Sequence, residues 1–426
     1  MRVIADLQIH SRFARATSKA ITLANLEKYA RMKGIDLLGT GDFQHPIWNK
    51  EIRNELKEGD KGVLWSRGGF PFLWQTEVSL MFSQGGKRRA VHLLVFAPNG
   101  DYADKIIKYL GSKGRLDYDG RPIFGISCEQ FVKEVKSIGD EIEVIPAHCM
   151  TPWFGLFGSD SGFDSLQECF GEQTGKIYAV ESGMSADPSM LWRLKEKVNI
   201  VSFSDAHSFW PWRLGREATV FEIPELSYGN LIRAIRTGEG LISTIETPPE
   251  YGKYHWDGHR NCNFSCAPDE TSKLKGKCPK CNKNLTIGVD NRIEQLAKEK
   301  REYRPIGAKM FQKLLPLHEL IALSQRAKIE SPKTWKEYHV LSEIFGNEFD
   351  ILLKIENEEF IKRNVDPVLA ELILLNRSGK LEVKPGYDGE YGIVQMPAHI
   401  STLSSINQSK DEKQKKLFRY LFFLNF

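Results

Sequence analysis

Over roughly the first 240 residues of the 426-residue chain, short apolar runs alternate with stretches whose apolar positions recur every three to four residues. The runs VIADLQI, GIDLLGTGDF, FLWQTEVSLMF, RAVHLLVFA, EVIPAH, KIYAVESG and NIVSFSDAH predict strands. They are short, rich in β-branched and aromatic residues, and bounded by turn residues. ITLANLEKYARMKG and DYADKIIKYLGSKG predict amphipathic helices between them. This alternation predicts an α/β fold, either a barrel or a layered sheet. Near residues 77–96 the turn SQGGKRR predicts an antiparallel hairpin insertion.

The pattern changes near residue 245. TPPEYGKYHWDGHRNCNFSC is polar, turn-rich and aromatic, and a cysteine cluster follows. From about 290 to 378 the segments RIEQLAKEK, AKMFQKLLPLHELIALSQ, TWKEYHVLSEIFGNEFDILLK and DPVLAELILLNRSG carry a 3.6-residue period and predict a mainly helical region. KLEVKPGYDGEYGIVQM predicts a strand, a turn and a strand. The polar stretch STLSSINQSKDEKQ then leads to the apolar end LFRYLFFLNF. These shifts divide the chain at 1–242, 243–289, 290–399 and 400–426, with no internal repeat.

Composition changes this picture little. Apolar residues make up 41%, enough for several cores, and 59 basic against 55 acidic side chains give a net charge of +4. That balance permits a nucleic-acid partner without requiring one. No run of about 18 apolar residues is present, so no membrane-spanning helix is expected. The chain enters a strand at once rather than a signal core, so a cytoplasmic protein is expected. Four of the seven cysteines cluster, while Cys128, Cys149 and Cys169 sit singly among apolar neighbours as buried thiols do.

The chemistry gathers at strand ends. Of ten histidines, His10, His45, His92, His148 and His207 fall on or just after predicted strands, where Asp6, Asp42, Glu77, Glu181 and Asp205 also lie. Each buried polar group must find a partner, so so many on successive strands point to a shared purpose. Imidazole with carboxylate suits Zn²⁺, Mn²⁺ or Fe, and clustered carboxylates hold two ions a few Å apart. Asp205-Ala206-His207 reads as a metal half-site; a helix cap beside a loop histidine is the plainer alternative.

In order, DLQIHS, GTGDFQHP, TEVS, VHLLVF, PAH and SDAH resemble the successive motifs of the polymerase-and-histidinol-phosphatase (PHP) superfamily, over about residues 1–240. The resemblance implies a distorted β/α barrel of PHP type that binds up to three metals for phosphoester hydrolysis. It implies His10 and Asp205 as ligands of the first metal, with Gln8 where histidine is usual. Glu77 is implied as a bridging carboxylate, His92 and His148 as ligands of the adjacent ion, and His207 as a ligand of the remaining one. Asp205, Glu77 and His148 are the implied catalytic residues. Where the superfamily has Asp-His after the second strand, this chain has Asp42-Phe43 and then His45, so either Asp42 and His45 form a third site or only two ions bind. The longer strings GTGDFQHPIW, GSDSGFDSLQECF, ESGMSADPSMLWRL, SFSDAHS, LGREAT and PGYDGEYG resemble the endonuclease Q family over almost the whole chain. That implies cleavage of DNA on the 5′ side of a deaminated base (uracil, hypoxanthine or xanthine) or an abasic site, with Mg²⁺, Mn²⁺ or Zn²⁺ as the catalytic ion.

Cys262, Cys266, Cys278 and Cys281 form C-x3-C-x11-C-x2-C, a spacing suited to a structural tetrahedral zinc; disulfides or a redox pair are the alternative. His255 and His259 then read as hydrogen-bonding or DNA-contacting residues rather than ligands. Lys273, Lys275 and Lys280 predict a basic rim for phosphates, and Arg12, Trp153 and Trp210 are further candidates for DNA contact; loop packing and solvated surface are the plainer readings. The helical region reads as the arm that holds the duplex. In the tail, Gln414, Leu417, Tyr420 and Leu421 form Q-x-x-L-x-x-Y-L, which resembles the box that docks repair and replication enzymes on the sliding clamp. Folding back of this tail on the core is the alternative. Two other functions stay open. A small-molecule phosphoesterase leaves roughly 185 residues unexplained, and a non-catalytic nucleic-acid-binding regulator leaves the ligand set unexplained.

Overall fold

The strands that frame the strand-end residues are β1 (Arg2–Asp6), β2 (Leu37–Gly39), β3 (Pro71–Leu73), β4 (Gln75–Gln84), β5 (Lys87–Phe96), β6 (Glu143–Pro146), β7 (Ala179–Glu181), β8 (Asn199–Val201), β9 (Ala218–Glu222), β10 (Leu241–Glu246) and β11 (Met310–Lys313). The computed structural model describes residues 1–397, and the clamp box at Gln414, Leu417, Tyr420 and Leu421 lies outside them. An eight-stranded sheet runs in the order β11-β10-β9-β1-β2-β3, continued by Leu64–Ser66 and Leu56–Glu58. β1 is parallel to β2 and antiparallel to β9. The chain crosses at Trp74 into a second sheet, in which β4 and β5 form the expected antiparallel hairpin, flanked by Ile123–Phe124 and β6. β7 and β8 pair in parallel, and an Ile9–Ala206 bridge ties the segment after β8 to the end of β1.

Strand hydrogen bonds among the described residues therefore form separate sheets rather than one closed barrel. The mixed α/β class holds. Apolar side chains pack on both faces of the large sheet. Trp48, Phe43 and Phe131 belong to one core, and Phe96, Phe203 and Phe221 to another. No helix among the described residues is long and apolar enough to cross a membrane.

The expected helical stretch over 308–325 is instead strand β11, which pairs in parallel with β10, followed by a helix at Leu317–Gln325. The reason lies at Pro316. A helix through the whole stretch would place proline in its interior, where it removes a hydrogen bond and clashes with the preceding turn. Likewise Gly346, at φ 96°, separates the helix Pro332–Phe345 from Glu348–Leu353, and Asn347 caps the second. β11 also carries the large sheet into residues beyond 290, so the helical region and the first domain share a sheet.

A buried ion pair pins the two regions together. Lys33 Nζ lies 2.6 Å from Glu348 Oε1 with both side chains almost fully buried, and it also donates to Pro211 O. Around it Trp210, Trp212, His318, Trp335 and Tyr338 interlock, with Trp210 stacked on Trp212 at 5.3 Å. Removing one partner of a buried pair leaves the other charge unpaired, at a cost of about 3–5 kcal/mol. Lys33→Met should therefore lower the urea midpoint markedly, while Lys33→Met with Glu348→Leu should recover much of the loss. An unchanged midpoint in the single variant would show that the pair does not hold the regions together.

Candidate metal-dependent active site

Three of the strand-end residues sit in left-handed backbone: Asp42 at φ 41°, His148 at φ 31° and Asp205 at φ 47°. None is glycine, and such conformations cost on the order of 1–3 kcal/mol each, which surrounding structure must over-determine. The bends turn these side chains away from the strand direction and toward a common centre. Glu181, at the end of β7, fixes one bend: it accepts from the N–H groups of His148, Gly183 and Phe203. Its pKa is pushed up to about 8 by burial and by Glu217. Asp6 does similar work for the Ser204–Asp205 turn by accepting from the N–H groups of Ser204 and Gly215.

Glu77, fully buried on β4, is the hub. Its Oε2 accepts from Gln8 Nε2 at 2.9 Å and lies 3.3 Å from His10 Nε2. Its Oε1 lies 2.8 Å from His92 Nδ1, 3.6 Å from His148 Nε2 and 3.2 Å from Arg121 Nη1. Two donor groups result, each with its ligand atoms within 4.8 Å of one another: His10, Asp205 and His207, and Glu77, His92 and His148. His10 Nε2 is 3.2 Å from Asp205 Oδ1, and its ring packs 4.7 Å from that of His207. Burial works against charge on Glu77, but Arg121 and His10 outweigh it and hold the carboxyl well below its usual range. Burial favours neutral His10, yet Asp42, Glu77 and Asp205 push its pKa well above the ordinary value. His92 moves the other way, to about 3, through burial and Arg121.

These sets fit divalent ions. They combine imidazoles with carboxylates, they are largely buried, and Gln8 Oε1 is a buried oxygen with no hydrogen-bond partner beside them. Asp42 falls outside both groups. It accepts from Ser11 N and Oγ through Oδ2 and holds His10 Nδ1 at 3.0 Å through Oδ1, the arrangement by which a carboxylate orients a ligating imidazole. His45 also falls outside them: it stacks on Phe13 at 4.2 Å, with Nδ1 unpartnered. Arg121 was not legible in the sequence, since it lies in the turn DYDGRP between elements and belongs to no periodic pattern.

The cysteine cluster brings a histidine in beside its sulfurs. Cys262, Cys278 and Cys281 converge with His259, whose Nδ1 lies 3.3 Å from Cys281 Sγ. Cys266 is buried in the same small core, but its Sγ faces Thr271 Oγ1 at 3.2 Å. His259-x2-Cys262 mirrors the spacing of Cys278-x2-Cys281. Three sulfurs and one imidazole suit tetrahedral zinc. Burial pushes the Cys278 thiol up, but the N–H groups of Lys280 and Cys281 outweigh it and bring it down to about 7, which favours a thiolate.

Of the expected DNA contacts, Trp153 is exposed and lies edge-on to Tyr254 beside the His148 loop. Trp210 instead packs into the aromatic nest between the two regions. Arg12 is engaged with Glu51 and Ile21 O. Lys273 and Lys275 are exposed, and Lys280 donates to Cys262 O at 2.9 Å.

The chain is similar to two solved structures. It shares 30% identity and a TM-score of 0.83 with the lesion-specific endonuclease PfuEndoQ of Pyrococcus furiosus, over 94% of this chain and 96% of that one. It shares 30% identity and a TM-score of 0.84 with endonuclease Q in complex with a 27-mer duplex substrate carrying an abasic lesion at the active site, over 94% and 98%. An uncharacterized protein of Methanocaldococcus jannaschii is 33% identical over 361 residues, which make up 81% of this chain and 43% of that protein, so the chain spans less than half of that relative. The uncharacterized protein YqxK of Bacillus subtilis is 27% identical over 417 residues, 92% of this chain and 99% of that one. No protein-family model matches the chain.

The two candidate zinc sets separate experimentally. Ligation energy in small zinc modules is on the order of 10 kcal/mol, so loss of a true ligand should release most of the ion. His259→Ala should lose its zinc by elemental analysis, and Cys266→Ser should keep it. The reverse result would assign the site to four cysteines.

Proposed function

Because the chain belongs to the endonuclease Q family, we propose that it is a metal-dependent DNA repair endonuclease with a PHP-type active site. It nicks the phosphodiester 5′ to a deaminated base (uracil, hypoxanthine or xanthine) or an abasic site. The observation that carries this reading is the pair of donor groups joined by Glu77, in a chain that matches a lesion-specific endonuclease almost end to end.

His10, Asp205 and His207 would hold one ion and Glu77, His92 and His148 another, with Gln8 beside both and Mg²⁺ or Mn²⁺ as the working metals. Such ions lower the pKa of a bound water and neutralise charge on the phosphate. The chain's own residues set the geometry. Asp42 and Thr151 orient the His10 and His148 rings, through contacts of 3.0 Å each. Glu77 holds the two groups at a fixed separation. No Ser or Cys nucleophile is needed. A lesion must leave the base stack to be read, and a deaminated base is mispaired, so its extrusion costs less. Trp153 at the rim is placed to stack there, and Lys273 and Lys275 on the zinc module to meet phosphates. The tail residues Gln414, Leu417, Tyr420 and Leu421 would dock on the sliding clamp and tether the protein to replicating DNA, and the protein would act in the cytoplasm.

The test uses otherwise identical duplexes carrying one uracil, one hypoxanthine, one abasic site or no lesion, with Mg²⁺ or Mn²⁺. Nicks confined to the lesion-bearing duplexes are expected. Cutting of all duplexes alike would mean a nonspecific nuclease, and cutting of none would exclude the reading. Loss of partners behind metal ligands commonly costs 10–100-fold, so Asp205→Ala, which removes a ligand itself, should slow nicking by about 100-fold or more. Its affinity for the duplex should stay near wild type in a gel-shift measurement; normal nicking would remove Asp205 from the site.

A further inference from the structure

Arg121 brings a cation against the candidate metal ligands without belonging to either donor group. Its Nη1 lies 3.2 Å from Glu77 Oε1, the oxygen that also faces His92 and His148, and its side chain is 22% exposed. Asp205 and Asp42 stand within electrostatic reach. Nη1 to Glu77 is the sole hydrogen bond its guanidinium makes among the described residues, which leaves Nη2 and Nε free at the mouth of the site.

The loop that carries Arg121 is held on every side. Gly120 donates to Phe13 O at 3.1 Å, and its own carbonyl accepts from Gln44 Nε2 at 2.6 Å. Asp119 Oδ1 accepts from the N–H groups of Arg15 and Arg121, and Pro122 O accepts from Ser79 N. A Cβ at Gly120 would lie 2.3 Å from Asp42 Oδ2, so this close approach requires glycine. The anchoring joins the loop to the segments after β1 and β2, the same ones that present His10 and Asp42. The backbone at Arg121 is therefore fixed by the fold, and its guanidinium meets Glu77, the carboxylate that touches both donor groups.

Glu77 engages one terminal nitrogen of the guanidinium and leaves its other donors for a second anion. Guanidinium presents a planar fork of donors that matches a phosphodiester's non-bridging oxygens, and it stays charged at all relevant pH. We propose that Arg121 is a catalytic residue of the nuclease reaction: its free N–H groups contact the non-bridging oxygens of the scissile phosphate and stabilise the charge that grows there as the P–O bond breaks. This rests on the endonuclease reading above. Arg121 exchanges no proton and forms no bond; its contribution is electrostatic.

The competing role is structural, with Arg121 merely positioning Glu77. The two separate on a charge cycle. Full-length wild type and Arg121→Gln, with resident zinc left in place and no Mg²⁺ or Mn²⁺ added, are titrated with an abasic duplex that carries either a phosphodiester or an uncharged methylphosphonate at the scissile linkage. Wild type should bind the methylphosphonate duplex about tenfold more weakly, the usual order for loss of a hydrogen bond to a charged group. Arg121→Gln should bind both duplexes alike. With metal added, the variant should nick about 10²–10³-fold more slowly at saturating DNA, as on removal of a donor to a developing oxyanion. Its bound metal per chain should be unchanged. A variant that still discriminates the two duplexes, or one whose rate is restored by excess Mn²⁺, would overturn the proposal. If wild type nicks no lesion duplex, the endonuclease reading fails, while the binding cycle still reports whether Arg121 meets the phosphate.

Discussion

The burial of one carboxylate, Glu77, organises this structure. A charged group taken fully out of water must be matched by hydrogen bonds and opposite charge. Gln8 and His10 supply these on one oxygen, and His92, His148 and Arg121 on the other. Those partners come from the end of β1, from β5, from the loop after β6 and from the turn before Ile123–Phe124. The sheets therefore have to converge on one point, although their strand hydrogen bonds do not close into a cylinder.

Behind that point stands a second set of polar contacts. Asp42 turns His10, Glu181 turns the His148 loop, and Asp6 turns the loop of Asp205. Further out, Arg193 pairs with Glu294 through both terminal nitrogens, at 3.0 and 2.9 Å. Arg292 reaches Phe157 O, Phe163 O and Asp164. These contacts fix the helix Val289–Leu296, and with it the exit from the cysteine-rich module, against the GSDSGFDS loop. The cysteine-rich module is thus held at a defined place relative to the candidate active site.

Much of the site was legible because its residues sit at strand ends, where an apolar run stops and a His or carboxylate follows: His10, Asp42, His148 and Asp205. The less legible parts depend on long-range contacts. Asp42 looks like a ligand in sequence, and its contacts with Ser11 and His10, which suit an orienting group, come from residues distant along the chain. Trp210 follows SDAHS and so looks like a lip of the site, but its ring faces Trp212 and Trp335 across the interface. Arg121 sits in a turn without periodicity, and its position is set by Phe13, Gln44 and Ser79, distant in sequence. The helix expected over 308–325 gave way to β11, although Pro316 carried a sufficient warning. His259 reads in sequence as a residue beside the cysteines, and only the fold brings its ring to Cys281.

The central claim is that one carboxylate serves two metal positions at once. Its most direct measurement is the number of Mn²⁺ ions bound per chain by elemental analysis, for wild type and for Glu77→Gln, which keeps the side-chain shape and loses the charge. The account predicts two fewer ions in the variant with zinc content unchanged. Loss of a single ion, or of none, would contradict it.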